Sequence, residues 1–377
     1  MASNIDVKET IEDRNSWFNI KRFKISGLDF EKPIKTLDVK NITRNTYEQL
    51  AKKAGFAIFE VSRTIKDANV VQKLTEQSDD YAIGSFFHRK AWLGSSPNVV
   101  NFTLDFNPLD SFSDIDSEMG GFFDLYYEHS KLLVTIPNLR IRNGRKLAPG
   151  TFPITVDQYL EFVDAVFDIL NTKNNKPIFV PISLRTSVRD IKTICSHYLK
   201  RDYLNFWVDF EGKAINEQQL GRLRHLYREL KTAKQFKNVV CYYTNIKREI
   251  LSNSKISQSP ASDVLAAISG ANIIGVNREP QRIPFGNMSK EVVGHKSRIL
   301  DRKTYYYEKT TDPKYSKKDV NVTHNAIKLN EEFQSQSDTL MRESTIVNDL
   351  EKKDMLKANE KILGWLTDKP PTMDDWF

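Results

Sequence analysis

PIFVPISLRTSVRDIKTICSHYLKRDYLNFWVDFEGKAINEQQLGRLRHLYRELKTAKQFKNVVCYYT, residues Pro177–Thr244, carries the rhythm that decides the fold. Three runs, Pro177–Leu184, Leu204–Phe210 and Asn238–Thr244, are apolar at nearly every position, so a strand made from any of them is apolar on both faces. Between them, Val188–Tyr198 and Glu217–Leu230 place apolar residues at helical spacing. Strands buried on both sides and alternating with amphipathic helices predict a parallel sheet covered by helices.

The same rhythm extends in both directions. Upstream lie the runs Phe56–Ser62, Val99–Phe106 and Leu132–Ile141, with helices near Lys66–Glu76 and Val156–Leu170. The latter helix sets Tyr159, Phe162, Val163, Val166, Phe167 and Leu170 on one face. Downstream, Ser259–Gly270 reads as a capped helix, and Ala271–Asn277 is the last run. Tyr81–Phe87 is the candidate for a further strand. A doubly wound sheet and a (β/α)8 barrel both fit such a pattern. No GxGxxG or Walker A sequence follows any strand, and the strand count favours an α/β, (β/α)8-like (TIM) barrel, irregular in places.

Around this barrel, assigned to 56–280, the chain changes character. Residues 1–55 form an N-terminal β extension: the first fifteen are polar and read as loose, Trp17–Leu28 alternates like a strand, Ile34–Val39 pairs with it, and Thr46–Ala54 is helical. Residues 281–324 are basic and aromatic, 325–367 form a helical extension, and 368–377 form a tail.

The 377-residue chain carries 56 Lys and Arg against 49 Asp and Glu, a net charge of +7. That balance favours phosphate-bearing partners, DNA or RNA among them. In the basic segment Lys303, Tyr305, Lys317 and Lys318 are the candidate nucleic-acid contacts, combining phosphate pairing with base stacking. Cys195 and Cys241 have no CxxC neighbour, so neither a zinc site nor a disulfide framework is expected, and no motif names a cofactor. No apolar run reaches the ~18 residues of a membrane span, and MASNIDVKETIEDRN lacks a signal-peptide core. The expectation is an intracellular protein with no membrane partner.

In a parallel barrel the working residues sit at the C-terminal strand ends. Asp209 and Glu211 fall there as a candidate catalytic carboxylate pair, on one side of the strand line. Arg140, Arg185, Asn277 and Arg278 fall at other strand ends and suit an anionic substrate. Polar strand ends are common in any barrel, where arginines and carboxylates also form plain ion pairs. The six histidines show no triad or HExxH spacing.

Two resemblances add expectations. Pro177–Arg282 resembles, in length and rhythm, the barrel of the tRNA-guanine transglycosylases, and SGANIIGVNREPQR echoes that family's closing strand. The resemblance places the family's nucleophilic aspartate near Gly275 and its glycine pair around Val208–Asp209, and the family's zinc cluster has no counterpart. It implies a kept scaffold with altered or lost chemistry. The end of the chain, PTMDDWF, resembles the PCNA-interacting motif of replication and repair proteins. Met373 falls at its aliphatic position and Trp376 and Phe377 at its aromatic pair, while Pro370 stands where the family has Gln. One 3₁₀ turn points these three side chains to one side as an apolar plug. This resemblance implies a sliding clamp (PCNA-like) as partner, and a nucleoid-associated location.

Three functions fit these readings: a DNA-associated accessory protein recruited by a sliding clamp, a metabolic barrel enzyme acting on an anionic small molecule, and a non-catalytic assembly protein.

Overall fold

The computed structural model describes residues 5–54, 57–76, 80–88, 90–94, 96–140, 154–173, 175–247, 257–278 and 297–367. The chain opens with an antiparallel sheet of β1 (Val7–Glu12), β2 (Asn19–Ile25) and β3 (Leu28–Phe30). Ser26 and Gly27 turn the β2–β3 hairpin at φ 48° and 83°, the left-handed geometry that matches strand twist. Thus the opening residues are not all loose. Glu9 pairs with Arg22 at 2.7 Å, and Thr10 Oγ1 donates to the Lys237 carbonyl at 3.0 Å, so polar alternation here marks an edge strand.

Next come β4 (Ile34–Lys35), β5 (Leu37–Asp38), α1 (Arg44–Ala54), β6 (Phe59–Ile65), α2 (Ala68–Glu76), α3 (Asp80–Phe86) and β7 (Asn98–Leu104). They are followed by α4 (Pro108–Ser111), α5 (Ile115–His129), β8 (Leu133–Thr135), β9 (Asn138–Leu139), α6 (Val156–Asn171), β10 (Ile178–Ser183) and α7 (Val188–Lys200). Then come β11 (Asn205–Asp209), α8 (Glu217–Thr232), β12 (Val240–Thr244), β13 (Ile246–Lys247), β14 (Gln258–Pro260), α9 (Val264–Ile268), β15 (Ile273–Ile274) and β16 (Asn277–Arg278). The chain continues through β17 (Arg298–Asp301), β18 (Tyr306–Lys309), α10 (Lys318–Glu343), α11 (Val347–Leu350), α12 (Asp354–Lys357) and α13 (Glu360–Thr367). Side-chain caps start the main helices: Thr155 and Gln158 form a capping box on α6, Ser187 caps α7 and Asn216 caps α8.

The central sheet has ten strands in the order β4-β15-β12-β11-β10-β8-β7-β6-β5, with β9 beside β7. Its pairings are parallel throughout. The two ends of this order are one stretch of chain: Ile34 pairs with Ile273 on one side, and Leu37 pairs with Phe59 on the other. The result is a large, nearly closed, barrel-like parallel sheet surrounded by helices. Ile34, Val99, Leu133, Phe179, Trp207 and Ile273 meet in one apolar cluster, and Phe23, Ile25 and Phe30 of the opening hairpin join it. These side chains come from the early residues of the strands, so the hairpin closes the N-terminal end of the sheet. The opposite, C-terminal end is where polar side chains gather.

Several expectations are corrected. Ile34–Val39 does not pair with Trp17–Leu28 but completes the central sheet, so the boundary at residue 56 cuts through that sheet. Tyr81–Phe86 of the candidate strand Tyr81–Phe87 is helical and Phe87 is in the turn that follows, and Phe86 and Phe87 both pack onto Phe102, at 5.4 and 5.8 Å between ring centroids. Only Val264–Ile268 of Ser259–Gly270 is helical, since Gln258–Pro260 pairs with β18. The helical extension begins at Lys318 with a single 26-residue helix and ends in short ones. Trp17 anchors the last of these, its Nε1 donating to the Trp365 carbonyl at 3.1 Å. No helix among the described residues is long and apolar enough to cross a membrane.

Candidate functional site

Two carboxylates are buried at the C-terminal end of the sheet, both with no exposed surface. Asp209, the last residue of β11, accepts from Thr103 Oγ1 at 3.2 Å, Asn138 Nδ2 at 3.0 Å, Asn245 Nδ2 at 2.9 Å and the Glu211 N–H at 2.8 Å. Glu60, on β6, accepts from Thr36 Oγ1 at 2.7 Å, Asn101 Nδ2 at 2.9 Å, Thr244 Oγ1 at 2.5 Å and the Val276 N–H at 2.8 Å. Buried charge is tolerable when its lone pairs are filled in this way. These donors come from strands all around the sheet, so each carboxylate ties distant strands together at the mouth. Both carboxylates are thus held in place by four donors each.

Glu211 differs. The strand ends at Asp209, and Glu211 and Gly212 take φ of 46° and 76°, a left-handed turn that a glutamate adopts at a cost. The turn brings the Glu211 carboxyl back over the strand end, where it accepts from Ser183 Oγ. Arg185 Nε lies 3.4 Å and Arg140 Nε 3.8 Å from Glu211 Oε2, and Arg140 also holds Asp105 at 2.9 Å. Burial, then the neighbouring Asp209 charge, pushes the Glu211 carboxyl up to about 7, against the opposing pull of Ser183 and the two arginines. Asp209, Glu211, Arg140 and Arg185 are therefore brought together. Arg278 joins from the far side of the same turn: its Cδ would stand 3.4 Å from a Cβ on Gly212, and its guanidinium donates to Thr64 Oγ1 at 3.3 Å.

Asn277 and Arg278 line a cavity of about 340 Å³ between β4–β6, β16 and α10. Sequence reasoning missed Lys35, Lys40 and Arg298. With Arg63, Arg278 and Lys318, the last expected as a nucleic-acid contact, they line it together with Asp38 and Asp263. Lys35 Nζ donates to Asn277 Oδ1 at 2.7 Å and to the Gly275 carbonyl, and burial lowers its pKa from the ordinary lysine value. Thr103 and Asn245, two of the donors to Asp209, reach the cavity wall and connect it with the carboxylate anchors.

The position that the transglycosylase resemblance assigns to a nucleophilic aspartate has no room for a side chain. A Cβ on Gly275 would lie 2.5 Å from Thr244 Cβ and 2.7 Å from Glu60 Oε2. Tyr305 is also misplaced as a stacking residue, because it is fully buried, donating to Glu332 Oε1 at 2.7 Å and accepting from Gln336 Nε2 at 2.8 Å. The run of three tyrosines reads as exposed in sequence, but alternation on β18 and the turn before it drive Tyr305 and Tyr307 inward. Lys303 is exposed at the β17–β18 turn, whereas Lys317 and Lys318 start α10, so the basic candidates lie on different elements. Met373, Trp376 and Phe377 lie outside the described residues. Among the described residues no group of three or more His, Cys, Asp or Glu is arranged to hold a metal ion. No protein-family model matches the chain, and no curated protein matches it.

Proposed function

We propose that the chain is a (β/α)8-barrel enzyme acting on an anionic small molecule at the C-terminal strand ends. Ile34–Asp38 acts as the first strand, bridging the last and second strands. Glu211 is the acid–base group, since a carboxyl near neutrality exchanges a proton readily in both directions. Arg140 and Arg185 face the charge that develops during proton transfer, and Asp209 positions Glu211 through its backbone N–H. The observation that carries this reading is Glu211 itself: a strained, buried carboxyl within 4 Å of two guanidiniums, next to a cavity walled by cations. The test incubates the chain with a pool of anionic metabolites and follows the pool by NMR. Consumption of one compound by the wild type and not by Glu211→Gln supports the reading. A pool left unchanged, with no member raising the melting temperature, refutes it.

Recruitment to a sliding clamp through Met373, Trp376 and Phe377 is a second proposal, and DNA-associated function depends on it. What supports it is the tail sequence, which sets Met373, Trp376 and Phe377 at the spacing of the clamp-binding motif behind two prolines. A pull-down with the last nine residues as bait tests it, and failure to retain a clamp from the source organism removes it.

A further inference from the structure

The cavity between β4–β6, β16 and α10 gathers positive charge. Among the described residues six cationic side chains line it with two acidic ones, and Asp263 accepts from Tyr307 at 2.8 Å and from Asn277 at 3.1 Å. The cations come from four separate parts of the chain: Lys35 and Lys40 near the first strands, Arg63 on β6, Arg278 on β16, and Arg298 and Lys318 beyond it. Their proximity is therefore a product of the fold and not of a charged run in the sequence. Arg63 Nε is buried and has no hydrogen-bond partner among the described residues, an omission that ligand atoms commonly explain. Lys317 offers no side-chain cap to α10, so the N-terminal amides of this 26-residue helix add to the positive field beside Lys318. Like charges held together in a partly desolvated space repel, and a multiply charged anion relieves that repulsion better than a single carboxylate.

We propose that this cavity binds the phosphate group of a small phosphomonoester, with Arg278, Arg63 and Lys318 as its principal donors. The inference deepens the reading of an anionic substrate and rests on it. Phosphate offers three equivalent acceptor oxygens and close to two negative charges near neutral pH, which suits guanidiniums and an ammonium converging from different sides. The cavity volume accommodates a phosphate with a small organic body. Leu37, Val276, Val322 and Leu329 in the lining give that body an apolar wall. Glu211 connects to this cavity through its neighbour Gly212, which packs against Arg278, and through Asp209, which Thr103 and Asn245 of the lining bond.

Calorimetric titration at fixed ionic strength tests this on the full chain. The probes are inorganic phosphate, glycerol 2-phosphate, succinate and a short single-stranded DNA carrying a 5′-phosphate. Phosphate and glycerol 2-phosphate are expected to bind, and Lys318→Gln and Arg278→Gln each to weaken them by about tenfold or more. Lys318 is exposed at a helix start, so its variant folds, and circular dichroism checks Arg278→Gln. Lys192→Gln, exposed on α7 and outside the cavity lining, is expected to leave phosphate affinity unchanged. Succinate binding that Arg278→Gln abolishes, without phosphate binding, overturns the phosphate assignment and leaves the anionic reading standing. Absence of binding by every probe overturns both. Tight binding of the DNA alone overturns the small-molecule assignment.

Discussion

The backbone N–H of Glu211 donates to Oδ1 of Asp209 at 2.8 Å, and this one bond ties the candidate acid–base residue to a buried carboxylate that accepts four hydrogen bonds. It holds Glu211 in its left-handed turn and keeps the Asp209 charge close enough to oppose ionisation of the Glu211 side chain.

A pH dependence of stability follows. The Glu211 carboxyl is raised from 4.5 to about 7 in the folded chain. Between these values the folded chain holds a proton that the unfolded chain has released, so stability is fully present below pH 4.5 and falls as pH rises to about 7. Denaturant titrations across this window should show a loss on the order of 3 kcal/mol in the wild type. In Glu211→Gln this contribution should vanish, leaving a flatter profile.

Gly275→Ala should destabilise the fold by about 2–3 kcal/mol, because the new methyl group is forced onto Thr244 and Glu60 where neither side chain has room to yield. Chemical denaturation measures this directly. A neutral outcome would mean that Glu60 is held less rigidly than its four hydrogen bonds require.

Tyr305→Phe should cost about 1–2 kcal/mol of stability, since it removes the hydroxyl shared by Glu332 and Gln336 in a buried setting. It should leave any nucleic-acid affinity unchanged in a salt-controlled binding assay, because a fully buried ring has no face for a base.

For the tail, replacing both Trp376 and Phe377 by Ala should weaken clamp binding by ~100-fold or more, each aromatic contributing on the order of 2 kcal/mol in a preformed pocket. The melting temperature should stay within about a degree of the wild type. A large drop in melting temperature, without any clamp interaction, would assign these side chains to the core instead.

The sequence made most of the sheet legible, and physical reasons account for what it hid. Runs such as Leu204–Phe210 announce themselves because both faces are buried, with Phe206 and Val208 under helices and Trp207 inside the sheet. Ile34–Asp38 does not, because Lys35, Thr36 and Asp38 are polar: the strand ends at the mouth, where Thr36 faces Glu60. Its pairing with Ile273 spans most of the chain, and no local pattern encodes that contact. Tyr81–Phe87 misled for the opposite reason, since a short apolar run reads alike in a strand and a half-buried helix. Asp209, Glu211, Arg140, Arg185, Asn277 and Arg278 were visible as strand-end residues. The convergence of Lys35, Arg298 and Lys318 on one cavity was not, because each sits in a segment whose placement depends on tertiary packing.

The central claim is that Glu211 is a carboxyl poised near neutrality beside two guanidiniums. Carbon-detected NMR titration of the Glu211 side chain, assigned by difference from Glu211→Gln, measures it most directly. The account predicts a midpoint at about 7 in the wild type and a higher one in Arg185→Gln, where a stabilising cation is lost. A midpoint at the ordinary glutamate value, unmoved in Arg185→Gln, would contradict it.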